Sequence, residues 1–94
     1  MIAGGLTQLR PADDGIKALA NHHKADVEKA LNRKFEEKFE AVNFSSQVVS
    51  GANYYINVDV GGDEIVQITI YKHWSGESSL SKAVGGKKFG DPFN

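Results

Sequence analysis

The sequence predicts an α+β fold in which one N-terminal helix packs across an antiparallel sheet of four to five strands. Near the N-terminus, apolar residues recur at the three- and four-residue spacing of an amphipathic helix, whereas residues 39–84 carry apolar residues at alternate positions between short turn sequences. A helix and a sheet that each have one apolar face bury both by packing together. The 94 residues predict a single domain, residues 1–94.

Composition excludes several classes of protein. The chain is 40% hydrophobic and 24% charged, which is typical of a globular domain. A formal net charge of -1 disfavours nucleic acid as a partner, and the absence of cysteine excludes a disulfide scaffold, a thiolate nucleophile and a thiolate zinc site. Neither a signal peptide nor a stretch of about 20 consecutive apolar residues is visible. We therefore expect a soluble, cytoplasmic protein with no membrane partner and no cofactor.

Residues 1–11 are predicted to form a flexible arm. They contain the pair Gly4-Gly5 and the proline Pro11, and they lack the periodicity of a regular element. Ile2 and Leu6 flank the two glycines. Apolar side chains in a mobile segment suggest docking on a partner, and the alternative is an untethered terminus.

The helix is expected to begin at Asp13 or Asp14, either of which can cap its first turn. It continues for roughly 20 residues, which corresponds to a length of about 30 Å, enough to cross a small sheet. Its apolar face is predicted to contain Ile16, Leu19, Ala20, Val27, Ala30 and Leu31.

Four strands are predicted after the helix. In the first strand Phe39 and Ala41 alternate in one phase and Val42 and Phe44 in the other, and such a change of phase indicates a β-bulge. The next strands cover residues 54–60, 66–71 and 80–84, and turns are expected at 50–51, 61–63 and 73–76. Residues 85–94 are rich in glycine and are expected to form a loosely held tail.

The histidines of the helix offer a candidate metal site. His22, His23 and Asp26 could supply two nitrogens and a carboxylate, but neighbouring helical positions point about 100° apart, which keeps both histidines from binding one ion with Asp26. His23 also falls on the apolar face. We expect His23 to be structural and predict no metal site.

Candidate catalytic groups are equally weak. No serine lies in a G-x-S-x-G elbow. The acidic residues at positions 36, 37 and 40 are most simply a cluster of charges exposed to solvent. The glycine pairs at 61–62 and 85–86 neither match a phosphate-binding loop nor open a helix. We therefore predict no catalytic residues and no enzymatic activity.

The feature that points to a function is the presence of apolar residues at predicted bends between strands. Val48 and Val49 lie at a predicted hairpin bend, where turns normally contain Asn, Asp, Gly or Pro, and Trp74 lies at the bend after the third strand. Alternate bends of a meander lie at the same end of the sheet, and a helix antiparallel to the first strand would bring the arm there as well. Three exposed apolar segments would then form one wedge. The alternative is that Trp74 folds back onto the sheet.

These residues resemble the cystatin family, and within it the cysteine-free stefin branch. Gln47-Val48-Val49-Ser50-Gly51 is similar to the Q-x-V-x-G motif of the family's first hairpin loop, with Ser50 where the common form has alanine. Asn53-Tyr54-Tyr55-Ile56 continues the stefin pattern, and Met1-Ile2-Ala3-Gly4-Gly5-Leu6 is similar to a stefin N-terminus. The second loop departs from it, because His73-Trp74-Ser75-Gly76 stands where stefins usually have Leu-Pro-Gly.

The resemblance implies reversible, tight-binding inhibition of papain-like cysteine proteases of the cathepsin L, S, H and B type. It also implies that the arm occupies the non-primed side of the protease cleft and the two loops the primed side. The expected protease-binding residues are Ile2, Ala3, Gly4, Gly5, Gln47, Val48, Val49, Ser50, Gly51, His73 and Trp74. The alternative is a non-inhibitory interaction module on the same scaffold.

The predicted bend at Val48 and Val49 also indicates a tendency to exchange strands between two copies of the chain. Val48 and Val49 are β-branched and favour an extended strand over a tight turn. We expect a monomer that can form a domain-swapped dimer.

Overall fold

The chain folds into a five-stranded antiparallel sheet crossed by two consecutive helices, in a computed structural model that describes residues 8–93. Each strand pairs with its neighbours in sequence, so the sheet order is β1-β2-β3-β4-β5. The predicted α+β architecture is therefore confirmed. The elements are β1 (Arg10–Pro11), α1 (Asp14–His22), α2 (Lys24–Leu31), β2 (Glu40–Val49), β3 (Gly51–Asp59), β4 (Ile65–Lys72) and β5 (Ser78–Lys87).

The first strand lies inside the predicted arm. Arg10 pairs with Phe44 and Pro11 with Asn43, both on β2. The last two residues of the expected flexible segment are therefore part of the sheet. The other residues of the predicted arm to which we gave a role, including Ile2 and Leu6, lie outside the described residues.

The helix is not continuous, contrary to the prediction. It is interrupted at His23, which ends α1 and precedes α2. His23 is only 4% exposed, and its ring has Nδ1 2.8 Å from Asp26 Oδ2 and Nε2 2.8 Å from Ser78 Oγ on β5. A buried polar ring needs such partners, and the break lies where the ring has both of them. Asp13 is the N-cap, since its Oδ1 accepts a hydrogen bond from the Ile16 N–H.

The core lies between the helices and the inner face of the sheet. The helices contribute Ile16, Ala20 and Val27, which pack in one cluster with buried residues of all three long central strands. Ala30, predicted on the apolar face, is exposed, whereas Leu31, the next residue and four positions after Val27, packs against the core. The sheet side of the cluster includes Ala41, Phe44, Ile56, Val58, Val66, Ile68 and Ile70.

The predicted bulge is confirmed in β2. Ala41 pairs with Val58 and Asn43 with Asn57, so Val42 is the extra residue. The shift places both Ala41 and Phe44 in the core, although they are three positions apart.

The C-terminal tail is held against the sheet, so the expectation of a loosely held segment from residue 85 is wrong. Strand β5 continues to Lys87. Beyond it, Gln67 Nε2 on β4 donates to the Asp91 carbonyl at 2.9 Å, and the Phe93 ring lies 5.8 Å from the ring of Tyr55 on β3. These contacts keep residues 91–93 on the outer face of the sheet, the face opposite the helices.

Ion pairs close the end of the sheet near the β3–β4 turn. Arg33 forms two hydrogen bonds to Glu64, at 2.7 and 3.0 Å, and the Gly86 N–H donates to the same carboxylate. These hydrogen bonds, that of Arg33 first, hold the pKa of Glu64 below its ordinary value. The pKa of Asp59 is lowered by the N–H of Gly61 and then by Lys38.

Within residues 8–93, no helix has the length and apolar character needed to cross a membrane.

Candidate functional site

The tight turn between β2 and β3 is built around one glycine. We call residues 47–51 the first loop. Val49 pairs directly with Gly51, and Gly51 has a φ of 114°, a conformation that side chains oppose. A Cβ at this position would lie 2.5 Å from the carbonyl oxygen of Lys72. Only glycine fits there. Val48 and Val49, predicted at the bend itself, are instead the last two residues of β2, where they are 77% and 42% exposed.

The turn between β4 and β5 carries the exposed tryptophan. We call residues 73–76 the second loop. The Gly76 N–H donates to the His73 carbonyl at 2.9 Å, and the Ser75 N–H donates to His73 Nδ1 at 3.1 Å. Trp74 is 70% exposed. Its side chain therefore does not fold back onto the sheet, which was the alternative left open by the sequence.

The two loops lie side by side. The Tyr71 hydroxyl donates a hydrogen bond to the Ser50 carbonyl in the first loop, and its ring lies 6.4 Å from the His73 ring in the second. A cleft of about 360 Å³ lies between them, bordered by Gly51 and Trp74. The structure thus brings Val48, Val49 and Trp74 to one end of the sheet.

The N-terminal segment approaches the same end. Because β1 is antiparallel to β2, the chain before Arg10 leads toward the first loop. The guanidinium of Arg10 lies 4.6 Å from the centre of the Phe44 ring and donates to Ser46 Oγ at 3.3 Å. Leu9 is 52% exposed. The expected arm contacts, Ile2, Ala3, Gly4 and Gly5, lie outside the described residues.

Two tyrosines that support the first loop were missed by the sequence reasoning. Tyr71 reaches Ser50 as described, and the Tyr55 hydroxyl donates to Gln47 Oε1 at 3.1 Å. The hairpin register could have revealed the second contact. Ser45 pairs with Tyr55, so Gln47 is the diagonal neighbour of Tyr55, within reach of a long side chain.

The histidines of the helices form no second site. Ser78, His23 and Asp26 are connected in the order of a hydrolase triad, but the imidazole is buried and the Asp26 side chain is 59% exposed to solvent. This chain of hydrogen bonds joins the helix break to β5. No group of three acidic or histidine side chains that could hold a metal ion occurs within residues 8–93.

Comparison with known proteins gives consistent matches. The family described as Cystatin domain matches residues 4–89. Leukocyte cysteine proteinase inhibitor 1 of Sus scrofa is 44% identical over 85 residues, which cover 90% of this chain and 82% of that protein. Cystatin-A of Mus musculus is 44% identical over 80 residues, covering 85% and 81%. Cystatin-A1 of Sus scrofa is 49% identical over 72 residues, covering 77% and 69%.

These matches extend over most of the chain, and they agree with the resemblance found in the first loop. The chain belongs to the cystatin family, in the stefin branch.

Proposed function

We propose that this protein is a reversible, tight-binding inhibitor of papain-like cysteine proteases, including those of the cathepsin L, S, H and B type. The observation that carries the proposal is the exposure of Val48 and Trp74 on two adjacent loops at one end of the sheet. Large apolar side chains gathered at one exposed edge are typical of a binding surface. One relative is named a cysteine proteinase inhibitor, which supports the same function.

The role is that of an inhibitor and not of an enzyme, and inhibition needs no covalent step. A wedge that enters the cleft on both sides of the catalytic thiolate, without presenting a scissile carbonyl to it, is not acylated. The first loop is fixed by Gly51, and the second loop by its own hydrogen bonds. Preformed loops lose little conformational freedom on binding, so the entropic cost that opposes their apolar contacts is smaller than for a flexible segment.

The proposed protease-binding surface comprises the arm and both loops. The loops would enter the primed side of the cleft and supply the basal affinity. The arm would occupy the non-primed side and tune the affinity among proteases, because a flexible segment loses entropy when it docks. The residues of the whole proposed surface are Ile2, Ala3, Gly4, Gly5, Gln47, Val48, Val49, Ser50, Gly51, His73 and Trp74. We further propose that residues 1–94 act as one domain in the cytoplasm.

The test is a titration of papain and of a cathepsin L-type protease with the purified protein. We expect tight, reversible inhibition, which Val48→Asp weakens strongly because it places a charge in an apolar contact. The matched control is Phe89→Asp. Phe89 is also apolar and 58% exposed, but it follows the end of β5, where Lys87 pairs with Ile65, far from the loops. A folded, monomeric wild type that inhibits neither protease would favour a non-inhibitory interaction module.

The contribution of the arm has its own test. Deletion of residues 1–5 is expected to raise the dissociation rate constant while inhibition persists. An unchanged rate constant would contradict the proposed division between arm and loops.

We also propose that the protein is a monomer that can form a domain-swapped dimer. Val48 and Val49 are β-branched residues beside the tight turn at Gly51, and straightening of this turn would extend β2 into β3. The dimer would bury the first loop and lose inhibition. Size-exclusion chromatography after partial heating should show it, and monomer alone after heating would refute the idea.

A further inference from the structure

Two tyrosine hydroxyl groups hold the first loop, one where it begins and one at its tip. Tyr55 on β3 donates to the side chain of Gln47, where the loop begins, and Tyr71 on β4 donates to the carbonyl of Ser50, at its tip. Both tyrosines lie on the outer face of the sheet. The loop therefore has side-chain support from two neighbouring strands in addition to the backbone pairing of its own hairpin.

We propose that Tyr55 and Tyr71 are positioning residues, which fix the shape of the first loop before the protease binds, and that Phe93 of the C-terminal tail braces Tyr55. The inference rests on the proposed inhibitory function. Neither tyrosine is among the residues that we assign to the protease-binding surface.

The position of Tyr71 lets it fix the spacing between the loops. Its hydroxyl contacts the Ser50 carbonyl and lies 2.9 Å from the place where a Cβ of Gly51 would be. Its ring makes an edge contact with the ring of His73 at the start of the second loop. One side chain thus contacts both loops, and a cleft between two loops keeps its width only while their separation is fixed.

The position of Tyr55 links the first loop to the C-terminal tail. The Phe93 ring lies 5.8 Å from that of Tyr55, and the tail that carries it is anchored where Gln67 donates to the Asp91 carbonyl. The Tyr55 ring is therefore packed on one side while its hydroxyl holds Gln47. Removal of Phe93 should loosen the first loop although Phe93 lies on the outer face of the sheet.

The physical consequence is a change in the fraction of molecules with a binding-competent loop. The apparent dissociation constant equals the intrinsic constant divided by that fraction. A neutral hydrogen bond that is lost without leaving a buried group unsatisfied lowers the equilibrium constant between the competent loop and its relaxed forms by about fivefold, which is the upper limit of the fall in that fraction. We expect Tyr55→Phe and Tyr71→Phe each to raise the inhibition constant for papain by about two- to fivefold.

The experiment compares Tyr55→Phe and Tyr71→Phe with a matched control, Thr69→Val. Thr69 on β4 pairs with Tyr55 and lies on the same outer face as the two tyrosines, so this substitution removes a hydroxyl group there and leaves both hydrogen bonds to the first loop in place. We expect the control to inhibit papain as the wild type does. Amide hydrogen exchange of the free proteins should be faster at residues 48–51 in the first two variants, with thermal unfolding close to that of the wild type in all three.

A double-mutant cycle separates positioning from independent contact. Val48→Ala removes a contact that only the competent loop makes with the protease, so the relaxed loop then binds almost as well as the competent one, and Tyr71→Phe should raise the inhibition constant less in that background than in the wild type. Truncation before Phe93 should reproduce the effect of Tyr55→Phe and add little to it. Unchanged inhibition constants, unchanged exchange at residues 48–51, or full additivity with Val48→Ala would each overturn the inference.

The same measurements keep the two proposals distinct. If the folded wild type does not inhibit papain, the proposed function fails. Hydrogen exchange in the free proteins then still decides whether the tyrosines hold the first loop.

Discussion

Replacement of Trp74 by alanine is expected to reduce inhibition greatly and to leave the fold intact. Trp74 is 70% exposed in the second loop and contributes nothing to the core between the helices and the sheet. Its removal therefore creates no buried cavity. We expect the free energy of unfolding to change by less than about 0.5 kcal/mol, as for other surface substitutions.

The magnitude of the binding effect follows from the exposed area. A tryptophan side chain buries up to about 250 Å². An exposure of 70% leaves about 170 Å² that a protease can cover, which at about 25 cal/mol per Å² corresponds to about 4 kcal/mol. Alanine retains part of this contact. We therefore expect a loss of about 3 kcal/mol, which is roughly a hundredfold rise in the inhibition constant.

The assay measures the inhibition constant and the dissociation rate constant for papain alongside urea unfolding. Phe89→Ala is the matched control, because Phe89 is a 58% exposed aromatic residue beyond the end of β5 that is remote from both loops. We expect Phe89→Ala to inhibit papain as the wild type does. An inhibition constant for Trp74→Ala within threefold of the wild type, or an equal loss in both variants, would refute the reasoning.

Three further predictions concern the fold and its turns. Gly51→Ala should raise the inhibition constant for papain at least tenfold and lower the melting temperature, since a positive φ and the contact with the Lys72 carbonyl add roughly 1–3 kcal/mol of strain; a wild-type melting curve would contradict this. Because folding lowers the pKa of Glu64, its stabilising contribution is complete above the unfolded pKa of about 4.3 and is lost as the pH falls through the lower folded value. Urea unfolding at several pH values should show stability falling below about pH 4, and Glu64→Gln should reduce the fall; identical profiles would count against this ion pair. His23→Ala should lower the free energy of unfolding by about 2 kcal/mol, because it removes a buried ring and leaves Ser78 unpaired at β5, whereas inhibition by the folded variant at 25 °C should persist.

The strands and turns could be predicted because their signals are local. The change of phase between Ala41 and Val42 predicts a bulge from neighbouring residues alone, and β2 contains it. The sequence predicts bends at Val48 and at Trp74, and both side chains are exposed in the structure. Where an element is specified by the alternation of its own side chains, the sequence carries enough information to locate it.

The interrupted helix and the attached tail could not be predicted in this way. His23, where the helix is interrupted, has a hydrogen bond to Ser78, a residue 55 positions away, and the periodicity of the helix contains no sign of this partner. The tail is held by Gln67 and by the ring of Tyr55, whose outward positions suggested only solvent. Both features involve partners that are distant in the sequence, and these become visible only once the sheet register is fixed.

The same distinction separates the loop anchors from the residues that support them. The exposed side chains of Val48 and Trp74 contribute no buried apolar area to the stability of the fold, so large apolar residues at or beside a turn already suggest a binding role. The aromatic rings of Tyr55 and Tyr71 are favoured in a strand, and their hydroxyl groups support the first loop. Only the hydroxyl groups relate to the proposed binding surface. A phenylalanine at either position would preserve the strand pattern in the sequence. Tyr→Phe substitution therefore removes the loop support while it leaves the signal for the fold unchanged.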